Sequence, residues 1–138
     1  MPISFFPRAG QMFMCDFSGF KPPEMVKVRP VVVISPRLPH RAEIVTIVPI
    51  SLTPPNHNLP FVYKLLKNYH PGESDKLECW AKADMVMNIG RHRLDGFKTG
   101  RRQWHIPEML KHNLEGVRIA VLHGLGMGHL ISDAQRAI

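Results

Sequence analysis

The sequence predicts a small, mainly β domain: an antiparallel sheet or small barrel of five or six short strands, followed by one C-terminal helix. Three observations carry that expectation. Short runs of alternating or β-branched residues recur between turn-forming segments. Thirteen prolines and ten glycines in 138 residues argue against a bundle of long helices. Near the C-terminus, one stretch keeps its apolar residues at helical spacing.

In chain order, the residues MPISFFPRA (1–9) read as a loose arm, because Pro2 and Pro7 interrupt any ladder. From Gln11 to Phe17 the pattern alternates. Phe13, Cys15 and Phe17 point one way and Met12, Met14 and Asp16 the other, as in a strand with one buried face. Ser18 to Val28 is polar, holds Gly19, Pro22 and Pro23, and reads as a long exposed loop. Arg29-Pro30 then opens Val31 to Ser35, a strand short and apolar enough to be buried on both faces, with Pro30 at its first position. Pro36 to Arg41 is a turn, Ile44 to Ile50 a third strand, and Ser51 to Asn58 another loop. Phe61 to Leu66 is a fourth strand and Tyr69 to Asp75, with Pro71-Gly72, a turn. Leu77 to Asp84 is a fifth strand that can continue through Met85 to Ile89 after a bend.

The helix is marked by Pro107 where a first-turn proline belongs, by Glu108 beside it, and by Leu110, Leu114, Val117 and Val121 at helical spacing. Gly124 is its expected stop, and residues 125–138 read as a tail. The whole, residues 1–138, is expected to be a single domain.

Composition narrows the function classes. Eighteen Lys and Arg against eleven Asp and Glu leave a net charge of +7, which favours an anionic partner, nucleic acid or acidic protein. No apolar run approaches the ~20 residues a membrane-spanning helix needs, so a soluble protein with no membrane partner is expected. Cys15 and Cys79 have neither metal-ligand spacing nor a disulfide framework, and with no apolar leader ahead of them they read as reduced cytoplasmic thiols. His123 and His129 flank a glycine stretch without Cys or carboxylate at ligand spacing, so no metal is expected there. The Gly124-Leu125-Gly126-Met127-Gly128 run follows the helix, where a dinucleotide-binding loop should precede one.

Gly10 to Phe17, then a polar loop, then Arg29-Pro30-Val31-Val32-Val33-Ile34-Ser35 resembles the opening of the PemK/MazF toxins. Val48-Pro49-Ile50-Ser51 resembles that family's third-strand exit. Cys79 to Val86, followed by Arg93-Leu94, is similar to its fifth-strand segment. The three stretches stand in the family's order and span about Gly10 to Val121. The resemblance implies a small SH3-like antiparallel barrel of the MazF/CcdB type with a C-terminal helix, and commonly a homodimer. It implies the toxin half of a toxin–antitoxin pair, held by an acidic antitoxin and meeting DNA only through the antitoxin complex. Its activity would be metal-independent, cofactor-free, sequence-specific cleavage of single-stranded RNA, especially mRNA, leaving a cyclic phosphate and a 5′-hydroxyl.

Carried over by position, the family's catalytic arginine falls on Arg29, its strand-exit threonine on Ser51, and an acidic residue used by some members on Asp84. Lys82, two positions earlier, replaces an arginine of some relatives and is a candidate contact to an RNA phosphate, and Lys21 and Lys27 in the polar loop are candidate contacts to RNA or to the antitoxin. A loop histidine used by some relatives has no counterpart between Ser18 and Val28, which leaves the general base unassigned.

The chemistry suits these residue types. RNA supplies its own nucleophile, the 2′-hydroxyl, so the protein must position the phosphate, stabilise its charge and move protons. An arginine fork matches phosphate oxygens bidentately, and a proline after it biases the backbone toward extension. Ser51 can hydrogen-bond a phosphoryl oxygen or the attacking hydroxyl. Each residue also has an ordinary reading: a surface arginine, a turn-forming hydroxyl, an acid bonded to backbone, solvated lysines. Trp80 and Tyr63 serve as core aromatics or as base platforms. Lys98, Arg101 and Arg102, with Arg91 and Arg93, form a phosphate track or a solvated face. The alternative function is a non-catalytic barrel that holds RNA or antitoxin without cutting. A gyrase-type protein target is the third reading.

Overall fold

The computed structural model describes residues 3–41 and 43–131. Its centre is the pair of strands β2 (Val28–Val33) and β3 (Ile44–Ser51), joined with Val31 opposite Pro49 and Val33 opposite Ile47. Val31, Val32 and Val33 are all fully buried, as the β-branched run predicts for a strand covered on both faces. Alternation sends Val32, Val48 and Ile50 into one apolar cluster and Val31, Val33, Val45 and Ile47 into a second.

Around this pair the strand path is β4 (Val62–Lys64), β5 (Trp80–Lys82), β3, β2, β1 (Met12–Asp16) and β7 (Leu94–Asp95), with β6 (Met87–Gly90) also on β3. All the pairs are antiparallel. The path is open, with no hydrogen-bonded pair among the described residues joining β4 to β7. A closed barrel is therefore not formed by these pairings. A separate hairpin, β8 (Phe97–Gly100) and β9 (Gln103–His105), was not expected from the sequence, where no alternating pattern marks it. The helix α1 (Lys111–Gly124) covers the first cluster with Val117, Ala120 and Val121. Arg118 ties it to the sheet by donating to the Ile34 carbonyl from Nε and Nη2, at 3.0 and 2.7 Å. No helix of the described residues is long and apolar enough to cross a membrane.

Several boundaries differ from the sequence expectation, each for a local reason. Residues 3–9 are not a loose arm: Ile3 donates its N–H to the Leu94 carbonyl, Pro7 is buried, and the Phe5 ring lies 6.2 Å from Phe13. β1 buries both faces, because Met12 enters the cluster under α1 while Phe13 and Cys15 enter the other. The fourth strand keeps three residues of the expected Phe61–Leu66 run. The expected Leu77–Asp84 strand pairs only over Trp80–Lys82, and the anticipated bend is a 3-10 turn, Ala83–Met85, that carries Asp84 out of the strand. Pro107 lies four residues ahead of the helix, with its carbonyl accepting the Met12 N–H at 2.9 Å. Leu110, exposed, stands at the helix N-cap instead. Gly124 ends the helix as expected. Beyond it Gly128–Leu130 forms a 3-10 turn and Ile131 is buried, while the rest of the expected tail, 132–138, lies outside the described residues.

Pro30 is the third residue of β2, not its first. The Ile34 N–H donates to the Thr46 carbonyl, which fixes the bonded pairs of the β2–β3 ladder as alternate positions: Ile34 with Thr46, then Val32 with Val48. The next would be Pro30 with Ile50, where proline has no N–H to give. The ladder stops there. Pairing with β1 continues, because Pro30 faces Met14 in a position where no β1 bond needs its nitrogen.

The helix packs close to β4 through Gly116. A Cβ on Gly116 would overlap the Tyr63 ring and lie 2.7 Å from its hydroxyl oxygen. Alanine in a helix normally gains about 1 kcal/mol over glycine, whereas overfilling a packed site costs about 1–3 kcal/mol. The steric term should win at this position. Gly116→Ala is expected to lower the melting temperature, and Tyr63→Leu in the same chain to recover part of the loss; a G116A melting temperature at or above wild type would refute the close packing.

Candidate active site

The β2–β3 pairing ends at Val31 opposite Pro49, and Arg29 and Ser51 each lie two residues beyond that last pair. Alternation alone would group both with Val31 and Ile47, on the face opposite Ile50, yet at these strand ends both line one cleft. A cleft of about 330 Å³ opens at this point. Met12, Met14, Val28, Pro30 and Ile50 line it from the strands, and Met25 from the loop before β2. Arg29, Ser51 and Thr53 line it as well. Its remaining wall is Asn68, Tyr69, His70 and Glu73, with Cys79 just before β5. The cleft thus has an apolar floor and a rim holding a cation, hydroxyls, an imidazole and a carboxylate.

Arg29 is exposed, and among the described residues no carboxylate lies within ion-pairing distance of it. Its charge is available to an anion entering the cleft. The Ser51 Oγ accepts the Thr53 N–H at 3.1 Å, so the turn-forming role and the cleft position belong to one hydroxyl. That bond uses an oxygen lone pair and leaves the hydroxyl proton to donate.

The wall formed by residues 68–75 is held by its own hydrogen bonds. The Asn68 N–H donates to the Asp75 carbonyl, and the Glu73 N–H to the His70 carbonyl, closing the turn at 3.0 and 3.1 Å. The Asn68 side chain, 4% exposed, works in both directions: Oδ1 accepts the His70 N–H and Nδ2 donates to Glu73 Oε1, each at 2.9 Å. His70 Nδ1 accepts the Gly72 N–H at 3.0 Å, and its ring stands edge-on to Phe97 with centroids 4.9 Å apart. Behind them the Tyr69 hydroxyl donates to Asn113 Oδ1 at 3.2 Å and accepts the Leu110 N–H at 3.0 Å. Burial raises the Tyr69 pKa, and the Leu110 bond opposes that rise.

The structure brings together Arg29 and Ser51 of the residues singled out in the sequence, and it leaves the others outside this cleft. Asp84 is exposed on its 3-10 turn, with its Cα 3.2 Å from where a Gly124 Cβ would stand, beside the end of α1. Lys82 is half-buried on β5 opposite Val62. Lys21 and Lys27 are exposed on the loop that lends Met25 to the cleft. Trp80 and Tyr63 are half-buried sheet residues.

The basic cluster divides. Arg91 pairs with Glu43 at 2.9 Å, while Arg93 donates to the Asp16 and Ser18 carbonyls and lies 4.6 Å from the Phe20 ring centroid, clamping the loop. Lys98 sits over Trp104, and Arg101 and Arg102 are exposed at the hairpin tip. In the sequence Tyr69, His70 and Glu73 read only as parts of a turn, and Asn68 belongs to no expected element. The signal available was a histidine and a glutamate on either side of Pro71-Gly72, which a tight turn brings to the same side of the chain.

A family model for the PemK-like, MazF-like toxins of type II toxin–antitoxin systems matches residues 8–115. The chain belongs to that family. It is also similar to YifN, an uncharacterized protein of Escherichia coli strain K12, at 28% identity over 159 aligned residues that take in 96% of this chain and 100% of YifN. Among solved structures, Deinococcus radiodurans MazF (form I) is 22% identical, with a TM-score of 0.63 over 90% of this chain and 100% of that one. An endoribonuclease from mycobacterial species, solved in complex with its cognate antitoxin, is 20% identical, with a TM-score of 0.59 over 88% and 97% of the two chains. At these identities the solved structures establish a shared MazF-like fold: antiparallel sheets with one C-terminal helix.

The two thiols report on the cleft wall and the core behind β2. Burial pushes Cys15 up from an ordinary 9.0 to about 12, with Arg93 opposing the rise. Burial pushes Cys79 up to about 11, and the nearby Glu73 charge adds to the rise. Both thiols are therefore neutral at pH 8, and the thiolate is the species that alkylates. Iodoacetamide at pH 8 is expected to label neither in the folded protein and both after denaturation. As pH rises toward 11, Cys79 should label before Cys15, read by peptide mass spectrometry; rapid labelling of either at pH 8 would contradict this ordering.

Proposed function

We propose that this chain is the toxin of a toxin–antitoxin pair and cuts single-stranded RNA, mRNA above all, by a metal-independent and sequence-specific endonucleolytic reaction. The observation that carries the reading is the shared cleft of Arg29 and Ser51, each two residues past the last β2–β3 pair. In this reading the scissile phosphate sits between them. Arg29 stabilises the charge that builds on the non-bridging oxygens as the 2′-oxygen attacks, and the Ser51 hydroxyl proton donates to one of those oxygens. The oxygen–phosphorus bond to the 2′-position forms, the bond to the 5′-oxygen breaks, and the products are a cyclic phosphate and a 5′-hydroxyl. The Ser51 hydroxyl is set before substrate arrives by its bond to Thr53, and the Arg29 backbone by its place in β2, which is how such groups lower a barrier.

The lysines outside the cleft, Lys21, Lys27 and Lys82, serve in this reading as contacts to flanking phosphates. Asp84, on the 3-10 turn beside α1, carries no part in the step. The net charge of +7 suits both RNA and an acidic antitoxin segment, and a cytoplasmic homodimer is the form in which we place the toxin. With single-stranded RNA in EDTA, wild-type protein is expected to cut at selected sites. Arg29→Ala should be slower by ~10²–10³, the usual cost of removing one well-aimed donor, with Arg29→Lys between the two. Cleavage that survives unchanged in R29A would remove the arginine's role, and complete loss of wild-type activity in EDTA would remove the metal-free premise.

A further inference from the structure

The cleft that holds Arg29 and Ser51 still needs a group to take the 2′-hydroxyl proton, since neither an arginine nor a serine is a proton acceptor near neutral pH. We propose that Glu73 is that group, with Asn68 as the residue that positions it and His70 as a hydrogen-bond donor and not the base. The inference rests on the endoribonuclease reading above and assigns a catalytic residue within the same site.

The assignment follows from what each polar side chain lining the cleft is already doing. The Tyr69 hydroxyl is engaged on both sides, donating to Asn113 and accepting from Leu110. The Cys79 thiol is buried and held neutral by that burial, just before β5. Asn68 is an amide with both ends committed to the turn. His70 is the group first suspected in an RNA-cutting site, but its Nδ1 lone pair accepts the Gly72 N–H at 3.0 Å. With Nδ1 accepting, the neutral ring carries its proton on Nε2, which can then donate and not accept. Glu73 remains.

Its carboxylate suits the task. One oxygen, Oε1, is fixed by Asn68 Nδ2 at 2.9 Å, and Asn68 is itself buried and anchored through its N–H to Asp75. Holding one oxygen sets the plane of the carboxylate and leaves lone pairs on the other for the substrate. The Glu73 N–H bond to the His70 carbonyl keeps the two side chains on one turn, so base and donor face the cleft together. In the step, a Glu73 oxygen takes the proton of the 2′-hydroxyl while the 2′-oxygen bonds to phosphorus. The bond to the 5′-oxygen breaks with its electron pair, that oxygen takes a proton from water, and Glu73 returns its proton to solvent. His70 Nε2–H and Arg29 hydrogen-bond the phosphoryl oxygens throughout, and no further reactant is needed.

The test uses full-length protein, a single-stranded RNA cut by the wild type, and melting temperatures to confirm that each variant folds. Glu73→Gln keeps an oxygen for Asn68 and removes the base, so cleavage is expected to fall by ~10²–10⁴, the usual range for a lost general base, with RNA retention on a filter unchanged. Glu73→Ala should fall as far and be partly restored by added formate in proportion to its concentration, a rescue that a merely structural role would not show. His70→Gln, which offers an N–H where Nε2 stands, should stay within about tenfold of wild type, and His70→Ala should be slower than H70Q. Cleavage by E73Q at wild-type speed, failure of formate to restore E73A, or an H70Q variant as inactive as E73Q would each overturn the assignment. These outcomes are separable from failure of the cleavage reading. If wild-type protein cuts and R29A does not while E73Q cuts normally, the base assignment alone is wrong; if wild-type protein cuts nothing, both readings fall together.

Discussion

The missing N–H of Pro30 is the constraint on which the cleft depends. β2 and β3 are locked by full burial of Val31, Val32 and Val33, with apolar clusters on both faces. Such a ladder would ordinarily run to the strand ends, since each unpaired buried amide is costly. Proline removes the donor at the position that would bond Ile50, so β2 keeps β1 as its neighbour and parts from β3. Arg29 and Ser51 lie beyond that last pair and line one cleft. Rigidity comes from one side of the strand and openness from the other.

A second proline acts similarly on β3. That strand pairs with β6 over Ile44–Ile47 and with β5 over Ile50–Ser51, and Pro49 falls in the interval where the neighbour changes. The change of neighbour lets the β4–β5 pair diverge from β6, with the 3-10 turn Ala83–Met85 bridging the two. Residues 65–79, between β4 and β5, then fold back over the open end of β2 and β3 as the wall carrying Asn68, His70 and Glu73.

The charged groups divide between holding the fold and facing solvent. Arg93 and Arg118 spend their donors on backbone carbonyls of the Ser18 loop and of β2's exit. Arg91 is paired with Glu43. Arg29 has no such tie, although its side chain is of the same type and as near to a strand end. An arginine without a partner beside a groove is the one free to meet a phosphate, and its difference from Arg91 and Arg93 is a matter of neighbours that are remote in sequence. The Asn68 amide makes the same point for the opposite charge, because a single buried side chain orients both a backbone donor and the Glu73 carboxylate.

Local chemistry was enough to read much of this chain. The β-branched run at 31–33, the alternation through Phe13 and Cys15, and Gly124 after an apolar helical face each announce their structure, because burial and backbone preference act over a few residues. Family resemblance carried by Arg29-Pro30 and Val48 to Ser51 also singled out the two residues that meet at the cleft. What sequence did not disclose depends on partners far along the chain. Asp84 looked like a strand residue until pairing stopped at Lys82; Pro107 looked like a helix start but gives its carbonyl to Met12; Phe97 to His105 pairs as a hairpin without an alternating pattern. His70 and Glu73 passed for ordinary turn residues, since nothing adjacent to them shows that their turn faces the split between β2 and β3. Periodicity determines which way a side chain points, whereas only the folded chain decides what stands opposite it.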